Sequence, residues 1–358
     1  MQSFAFWYTE KDLDSTHTKN SDIVAATLNF NLWYECGWKT KRKNIQPILD
    51  IGFKIENLTL AKELSFFIPF SISEEEKKNS ITDLGCKFHS TELVDALFNE
   101  SFKTTISANS KIITVEKIIE SSDRDSEEKD IFKIYQLDIE HDMTLVPFSD
   151  GTIIRIPTDN ITTSRGENHD ASDIDTYYLR FRICHTSLQA MIHQYEPPNG
   201  KIFGAFEATN MVDFRYNNVR SLDRTLIEQF YRKGNKRIQV RSVHFLLMTK
   251  AYIDVESRTI SSVRKLETNV WSDYISNGEK WDMEDIIAYH HSIKPKSSKD
   301  FLTSAEIFLK IKKAKTKLGY YVIAAVIISI MSGVASELLR TLVELIKNWI
   351  FFCLHLIK

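Results

Sequence analysis

YYLRFRI, residues 177–183, alternates strictly: Tyr177, Leu179, Phe181 and Ile183 share one face of an extended chain, and Arg180 and Arg182 the other. Successive side chains of a strand point to opposite faces, so this period of two reads as a strand. Ile51, Phe53 and Ile55 repeat the pattern against Lys54 and Glu56. Further β-rich runs are TLNFNLWY from Thr27, ELSFFIPFSI from Glu63, KIITVEKII from Lys111, IFKIYQLDI from Ile131, GTIIRI from Gly151 and IQVRSVHFLLM from Ile238. Helices are expected over 90–102, 221–233 and 281–291, the second with Leu222, Leu226 and Phe230 on one side. No internal repeat and no alternating βα rhythm is present, which argues against a Rossmann or TIM-barrel enzyme. The expected fold class is α+β: a mostly antiparallel β body with a few helices, followed by C-terminal membrane segments.

Two polar stretches interrupt the body. ESSDRDSEEKD, residues 120–130, separates two strand-like runs and reads as a hairpin loop. TDNITTSRGENHDASDIDT, residues 158–176, is long for a structureless loop and is placed as a linker. Residues 1–157 are then a β-rich cytoplasmic lobe and 177–300 an α+β lobe, with one continuous domain as the alternative. The aromatic start, Met1 to Glu10, lacks the basic region, apolar stretch and cleavage site of a signal peptide, so the N-terminus is expected in the cytoplasm.

LGYYVIAAVIISIMSGVAS, residues 318–336, is uncharged and as a helix matches the ~30 Å hydrocarbon core of a bilayer. A transmembrane helix is expected over 318–337. Lys310, Lys312, Lys313, Lys315 and Lys317 precede it without an acidic residue among them, and the positive-inside rule places that end in the cytoplasm. Thr303 and Glu306 have capping-box spacing, so 301–317 is expected to be a basic juxtamembrane helix running into the span. Residues 338–358 form an amphipathic or second membrane helix. At 100° per residue, Ser329, Gly333, Ser336, Glu337, Arg340, Glu344 and Lys347 share one sector, a polar stripe that continues from the span if the helix does not break. Such a stripe either meets headgroups on a flat helix or lines water between several copies. Ala325, Ser329 and Gly333 form a small-residue ridge that permits close helix approach.

Chemistry is less legible. With 46 Lys+Arg against 48 Asp+Glu among 358 residues, the chain lacks the overall basicity of a dedicated nucleic-acid binder. Cys36, Cys86, Cys184 and Cys353 are too scattered for a metal site and read as reduced core or membrane thiols. No phosphate-binding glycine loop, nucleophile elbow or zinc-protease motif occurs, and neither a metal nor a cofactor is expected. His290 and His291 are adjacent on an expected helix, about 100° apart, and Cys184 and His185 point to opposite faces of a strand. The segment from Arg215 to Arg241 carries Arg215, Arg220, Arg224, Arg232, Arg237 and Arg241 with Tyr216, Phe230 and Tyr231 interleaved. Arginine forks bind phosphate, and aromatic rings stack on bases, so this segment could hold a nucleotide or nucleic-acid end; the alternative is a solvated helix-hairpin edge.

The expected function is a tail-anchored cytoplasmic sensor and effector at the inner membrane, with the lipid bilayer and further copies of itself or another protein as partners. The outline, a sensing body joined to minimal membrane segments, resembles bacterial anti-phage effectors; that resemblance of architecture implies oligomerisation and membrane permeabilisation. The competing expectations are a tail-anchored enzyme acting on a phosphate-bearing substrate and a passive membrane adaptor.

Overall fold

The computed structural model describes residues 3–11, 23–34, 46–106, 111–118, 130–163, 175–195, 207–276, 283–297, 299–314 and 318–355. Nineteen strands in three sheets are described. YYLRFRI lies in β11 (Thr176–Ile183), inside the largest sheet. On one side of it run β3 (Ile48–Glu56), β2 (Ala25–Trp33), β15 (Gln239–Lys250), β18 (Ile286–Ile293) and β17 (Ser262–Lys265). On the other run β8 (Ile131–Tyr135), β7 (Ile112–Lys117) and β6 (Phe102–Ile106), while β5 (Ile81–Asp83) also pairs with β11. A five-stranded sheet has the order β14 (Asn235–Arg237), β1 (Ala5–Glu10), β4 (Ala61–Ile68), β10 (Gly151–Pro157), β9 (Thr144–Phe148). A four-stranded sheet joins β12 (Ile192–Tyr195), β13 (Glu207–Tyr216), β19 (Ala305–Ala314) and β16 (Asp254–Glu256).

The expected β body is present, and most pairings are antiparallel. β2–β15 and β8–β11 are parallel, which no hairpin can produce because parallel neighbours need a crossover connection. β7 and β8 pair antiparallel, as the hairpin reading requires; of the expected loop at 120–130, all but Asp130 falls outside the described residues.

Period two decides which side chains meet. Leu179, Phe181 and Ile183 enter the main core with Phe53, where Phe53 contacts Phe6 of the five-stranded sheet at 4.6 Å and Phe66 at 5.0 Å between ring centroids. α1 (Lys77–Ser80) is a single turn. The opposite face of the largest sheet joins a second core with α2 (Thr91–Phe98), through Leu93 and Val94, and with residues from Trp271 to Ile275. α3 (Asp159–Thr163) occupies the start of the expected linker, and residues 164–174 lie outside the described set. α4 (Arg224–Phe230) lays Leu226 and Phe230 on Trp7, Phe67 and Ile153 of the five-stranded sheet. Trp271 and Tyr274 belong to α5 (Thr268–Ile275).

Several expectations are corrected. Of the two readings of the body, two lobes or one continuous domain, the second matches the contacts: residues 1–195 with 209–313 form one compact unit, with β11 between β3 and β8 in a single sheet. The basic segment expected as a helix over 301–317 is a strand where it is described: residues 305–314 form β19, in which buried Ala305, Ile307, Leu309 and Ile311 alternate with outward Glu306, Phe308, Lys310 and Lys312, and 315–317 lie outside the described residues. Tertiary pairing in the four-stranded sheet overrides the capping signal, and Glu306 instead accepts a hydrogen bond from Asn218. Residues 286–293 are a strand, so His290 and His291 face opposite ways. The helix expected over 90–102 stops at Phe98, where Asn99 takes a left-handed conformation (φ 57°) as its C-cap. The aromatic N-terminal run is a core strand. Cys86 and Cys184 are exposed rather than core thiols, and Cys36 is outside the described residues.

α6 (Leu318–His355) belongs to a second unit, residues 196–208 with 314–358. It is one unbroken helix of 38 residues where two membrane segments were expected.

Candidate functional site

Within α6, Val322–Ile350 is long and apolar enough to cross a membrane, and its 29 residues bury none of the most apolar window. At 1.5 Å per residue the whole helix measures roughly 57 Å, beyond the ~40–45 Å of a bilayer with its headgroups. Because the helix does not break, the polar stripe is continuous: Ser329, Gly333, Ser336, Glu337, Arg340, Glu344 and Lys347 occupy one sector from the span into the tail. Ser336 Oγ satisfies itself on the Gly333 carbonyl at 2.9 Å. Glu337, Arg340, Glu344 and Lys347 form no ion pair among the described residues. Side chains three and four apart are neighbours on a helix, so the alternating signs are available to pair with each other or with another copy. A Cβ added at Gly333 meets nothing within 4 Å.

The expected topogenic lysines divide. Lys310 and Lys312 lie on β19 beside Glu256 of β16, Lys310 Nζ at 3.8 Å and Lys312 Nζ closer still. The hydrogen bond from Lys312, with its charge, holds Glu256 below the usual carboxylate range. Lys313 lies on β19 as well, and Lys315 and Lys317 fall outside the described residues.

The arginine segment does not form one patch. Arg215 and Arg220 line a broad cleft of about 1020 Å³ with His193, Ser71, Thr186 and Asp223. Arg215 is clamped by Asp213 through Nε at 3.0 Å and Nη2 at 2.6 Å, which raises its pKa. Arg237 stands over Phe230 at 4.9 Å and Tyr231 at 5.8 Å, beside a separate cleft of about 450 Å³. Arg241 makes a fork on Glu56, Nε to Oε1 at 2.7 Å and Nη2 to Oε2 at 2.7 Å. Arg224 and Arg232 are exposed and line neither cleft. Tertiary contact separates what the sequence places side by side. It follows that Arg220→Ala, an exposed side chain, shifts unfolding by less than about 0.5 kcal/mol. Arg237→Ala should cost about 1 kcal/mol, through lost cation–π contact and packing of its stem. Equal denaturation midpoints for the two variants would contradict the stacked role of Arg237.

Arg180 and Arg182, which a half-solvated strand would expose, are buried at 0% and 2% exposure. Asp50, also 0% exposed, receives Arg182 Nε at 2.7 Å and Nη2 at 3.0 Å, Trp33 Nε1 at 2.8 Å and the Tyr274 hydroxyl at 2.8 Å. Arg180 donates to Tyr274 at 2.7 Å and Tyr178 at 2.8 Å, and Arg182 Nη1 to the Ile275 carbonyl at 3.0 Å. Burial alone would raise the Asp50 pKa; the charge and hydrogen bonds of Arg182, with Arg180 and Trp33, bring it below the usual range instead. Gly52 is Arg180's cross-strand partner, and any side chain there would collide with the Tyr178 ring. This network ties α5 to β3 and β11.

Residues that the sequence reading missed gather in a third cleft, about 360 Å³, on the face of β15 carrying Ser242, His244 and Leu246. Ser242 Oγ lies 3.1 Å from His244 Nε2, and His244 Nδ1 lies 3.0 Å from His290 Nε2. The imidazoles stack with centroids 5.3 Å apart. The alternation of IQVRSVHFLLM already places Ser242 and His244 on one face; their partner His290, 46 residues away, has no local signal. Among the described residues no group of three or more His, Cys, Asp or Glu is arranged to hold a metal ion. No known family model matches the chain, and no curated protein matches it in sequence.

Proposed function

We propose that this chain is a membrane-anchored sensor and effector, with its β-rich body in the cytoplasm and several α6 helices associating through the polar stripe to permeabilise the inner membrane. The observation that carries the reading is α6: its apolar window is wholly uncovered, while the body buries an extensive core. A lipid environment supplies the missing cover. The stripe then sets the second half of the argument. Charged side chains at mid-bilayer cost roughly 2.5–3.5 kcal/mol each on insertion scales and less toward the interface, so Glu337 and Arg340, nearest the midpoint of Val322–Ile350, would together cost on the order of 5 kcal/mol facing lipid, with Glu344 and Lys347 adding less. Turning them toward other copies and water removes most of that cost. Lys313, Lys315 and Lys317 support the cytoplasmic placement of the body.

Reconstitution into dye-loaded liposomes tests this. Full-length protein should resist carbonate extraction and release dye, and a chain ending at Lys317 should do neither. Recovery of the full chain in the soluble fraction would end the membrane reading, and firm insertion without dye release under any activating condition would leave an anchor without an effector.

A further inference from the structure

Val243, Phe245 and Leu247 send β15 into the core, so Ser242, His244 and Leu246 necessarily face the other way. There the C-terminal end of α2, from Leu97 to Asn99, forms one wall of the 360 Å³ cleft. Its charges do not balance. Lys54, Arg264 and Lys294 line it, with Asp130 and Glu100 as the acids. Both acids are engaged, Asp130 by Lys54 at 2.6 Å and Glu100 by Lys117 at 3.4 Å. Among the described residues Arg264 donates only to neutral oxygens, Asn99 Oδ1 at 3.1 Å and the Ala96 carbonyl at 2.8 Å. Lys294 is exposed and has no ion pair among the described residues. Arg264 and Lys294 therefore leave uncompensated positive charge in a concave, partly apolar site, the usual setting for a small anionic ligand.

The hydrogen-bonded chain adds a directional site for a proton. A neutral imidazole carries one proton. Ser242 Oγ donates to Thr27 Oγ1 at 3.4 Å and therefore accepts from His244 Nε2–H; His244 Nδ1 in turn accepts from His290 Nε2–H, which leaves His290 Nδ1 as the position that takes up a proton. That nitrogen has no protein partner among the described residues. Burial, with the charges of His290 and Lys294, pushes His244 down to about 4, and burial with Arg264 and Lys294 lowers His290. Both rings are neutral near neutral pH while standing in a positive field. An anion placed there reverses the field and favours protonation. His291 plays no part, because it faces the opposite side and bonds Thr259 at 2.9 Å.

We propose that this cleft binds a small soluble ligand through a phosphate-type dianion, held by Lys294, Arg264 and the Nδ1–H that His290 gains when binding takes up a proton on the His244–His290 pair. Its volume is at the small end of ligand pockets, which favours a metabolite of mononucleotide size over a diacyl lipid headgroup.

Sulfate is a suitable probe because its charge stays constant between about pH 6 and pH 8, so any pH dependence belongs to the protein. In calorimetric titration of the full chain in detergent micelles, sulfate should bind more tightly at the lower pH, by up to about tenfold per pH unit for one proton taken up. Lys294→Glu, an exposed change that spares the fold, should weaken sulfate binding at least tenfold, and His290→Gln should flatten the pH profile. Arg220→Ala, in the other cleft, should change nothing. Adenosine monophosphate should displace the sulfate, and dioctanoyl phosphatidate should not. Absence of sulfate binding at the lower pH, survival of binding in Lys294→Glu, or displacement by the lipid alone would each overturn the proposal. These outcomes are independent of dye release, so a failed pore leaves the site standing and a failed site leaves the pore standing.

Discussion

Gly333→Leu is expected to leave the protein in the membrane fraction and to reduce its dye release to that of protein-free liposomes. Within a single helix the substitution is harmless: the added Cβ meets nothing within 4 Å, and replacing a mid-helix glycine by leucine gains somewhat less than the ~0.8–1 kcal/mol of helix propensity that separates glycine from alanine. Hydropathy of the span rises, so insertion is not impaired. What changes is the surface offered to another copy. Ala325, Ser329 and Gly333 form a ridge of small residues, and close approach of two backbones there requires that no large side chain intervene. Because the variant is intrinsically the better helix, loss of release would trace to the face it offers other copies, either through lost association or through a bulky apolar side chain on the stripe that lines water. Glu344→Lys supplies an independent check, since it removes an acid from the stripe beside Arg340 and Lys347 and should shift selectivity toward anions. Wild-type release from Gly333→Leu would remove the small-residue interface from the model altogether.

The second large effect is on the body. Asp50→Ala is expected to lower the stability of the body by about 3–5 kcal/mol, the cost of breaking a buried ion pair from one side. Arg182 would lose the acceptor of two hydrogen bonds, and Arg180, 4.0 Å from the same carboxylate, would remain buried beside it. Trp33 Nε1 would lose its acceptor as well. Since domains are stable by only about 5–15 kcal/mol, most of the reserve would go, and the variant should lose its cooperative thermal transition near ordinary growth temperatures. The sign of the pH effect follows from the same contacts. Asp50 is held below its unfolded value, so its contribution is present above the unfolded pKa of about 3.9 and is lost as pH falls through the folded value. A denaturation midpoint for Asp50→Ala equal to wild type would mean that the guanidinium groups are solvated, against their burial here.

The sequence by itself determined that the body is β-rich and that the chain carries an uncharged membrane-length run. It also revealed the angular sector shared by Ser329 through Lys347. These are local properties: a period of two or of 3.6 depends only on neighbouring residues and survives any tertiary arrangement. The tertiary structure decided what lies against each face. Alternation in YYLRFRI separates Arg180 and Arg182 from Leu179 and Phe181, but only α5 and Asp50 make the arginine face an interior one. The same holds for the lysines before the span, since β19 makes sheet residues of Lys310, Lys312 and Lys313 and Glu256 on a neighbouring strand pairs with the first two. His244 and His290 meet because β15 and β18 pair, a register set by long-range burial on the opposite face. Side-chain period tells which residues share a surface, whereas the partner of that surface comes from contacts distant in sequence, for which no local pattern exists.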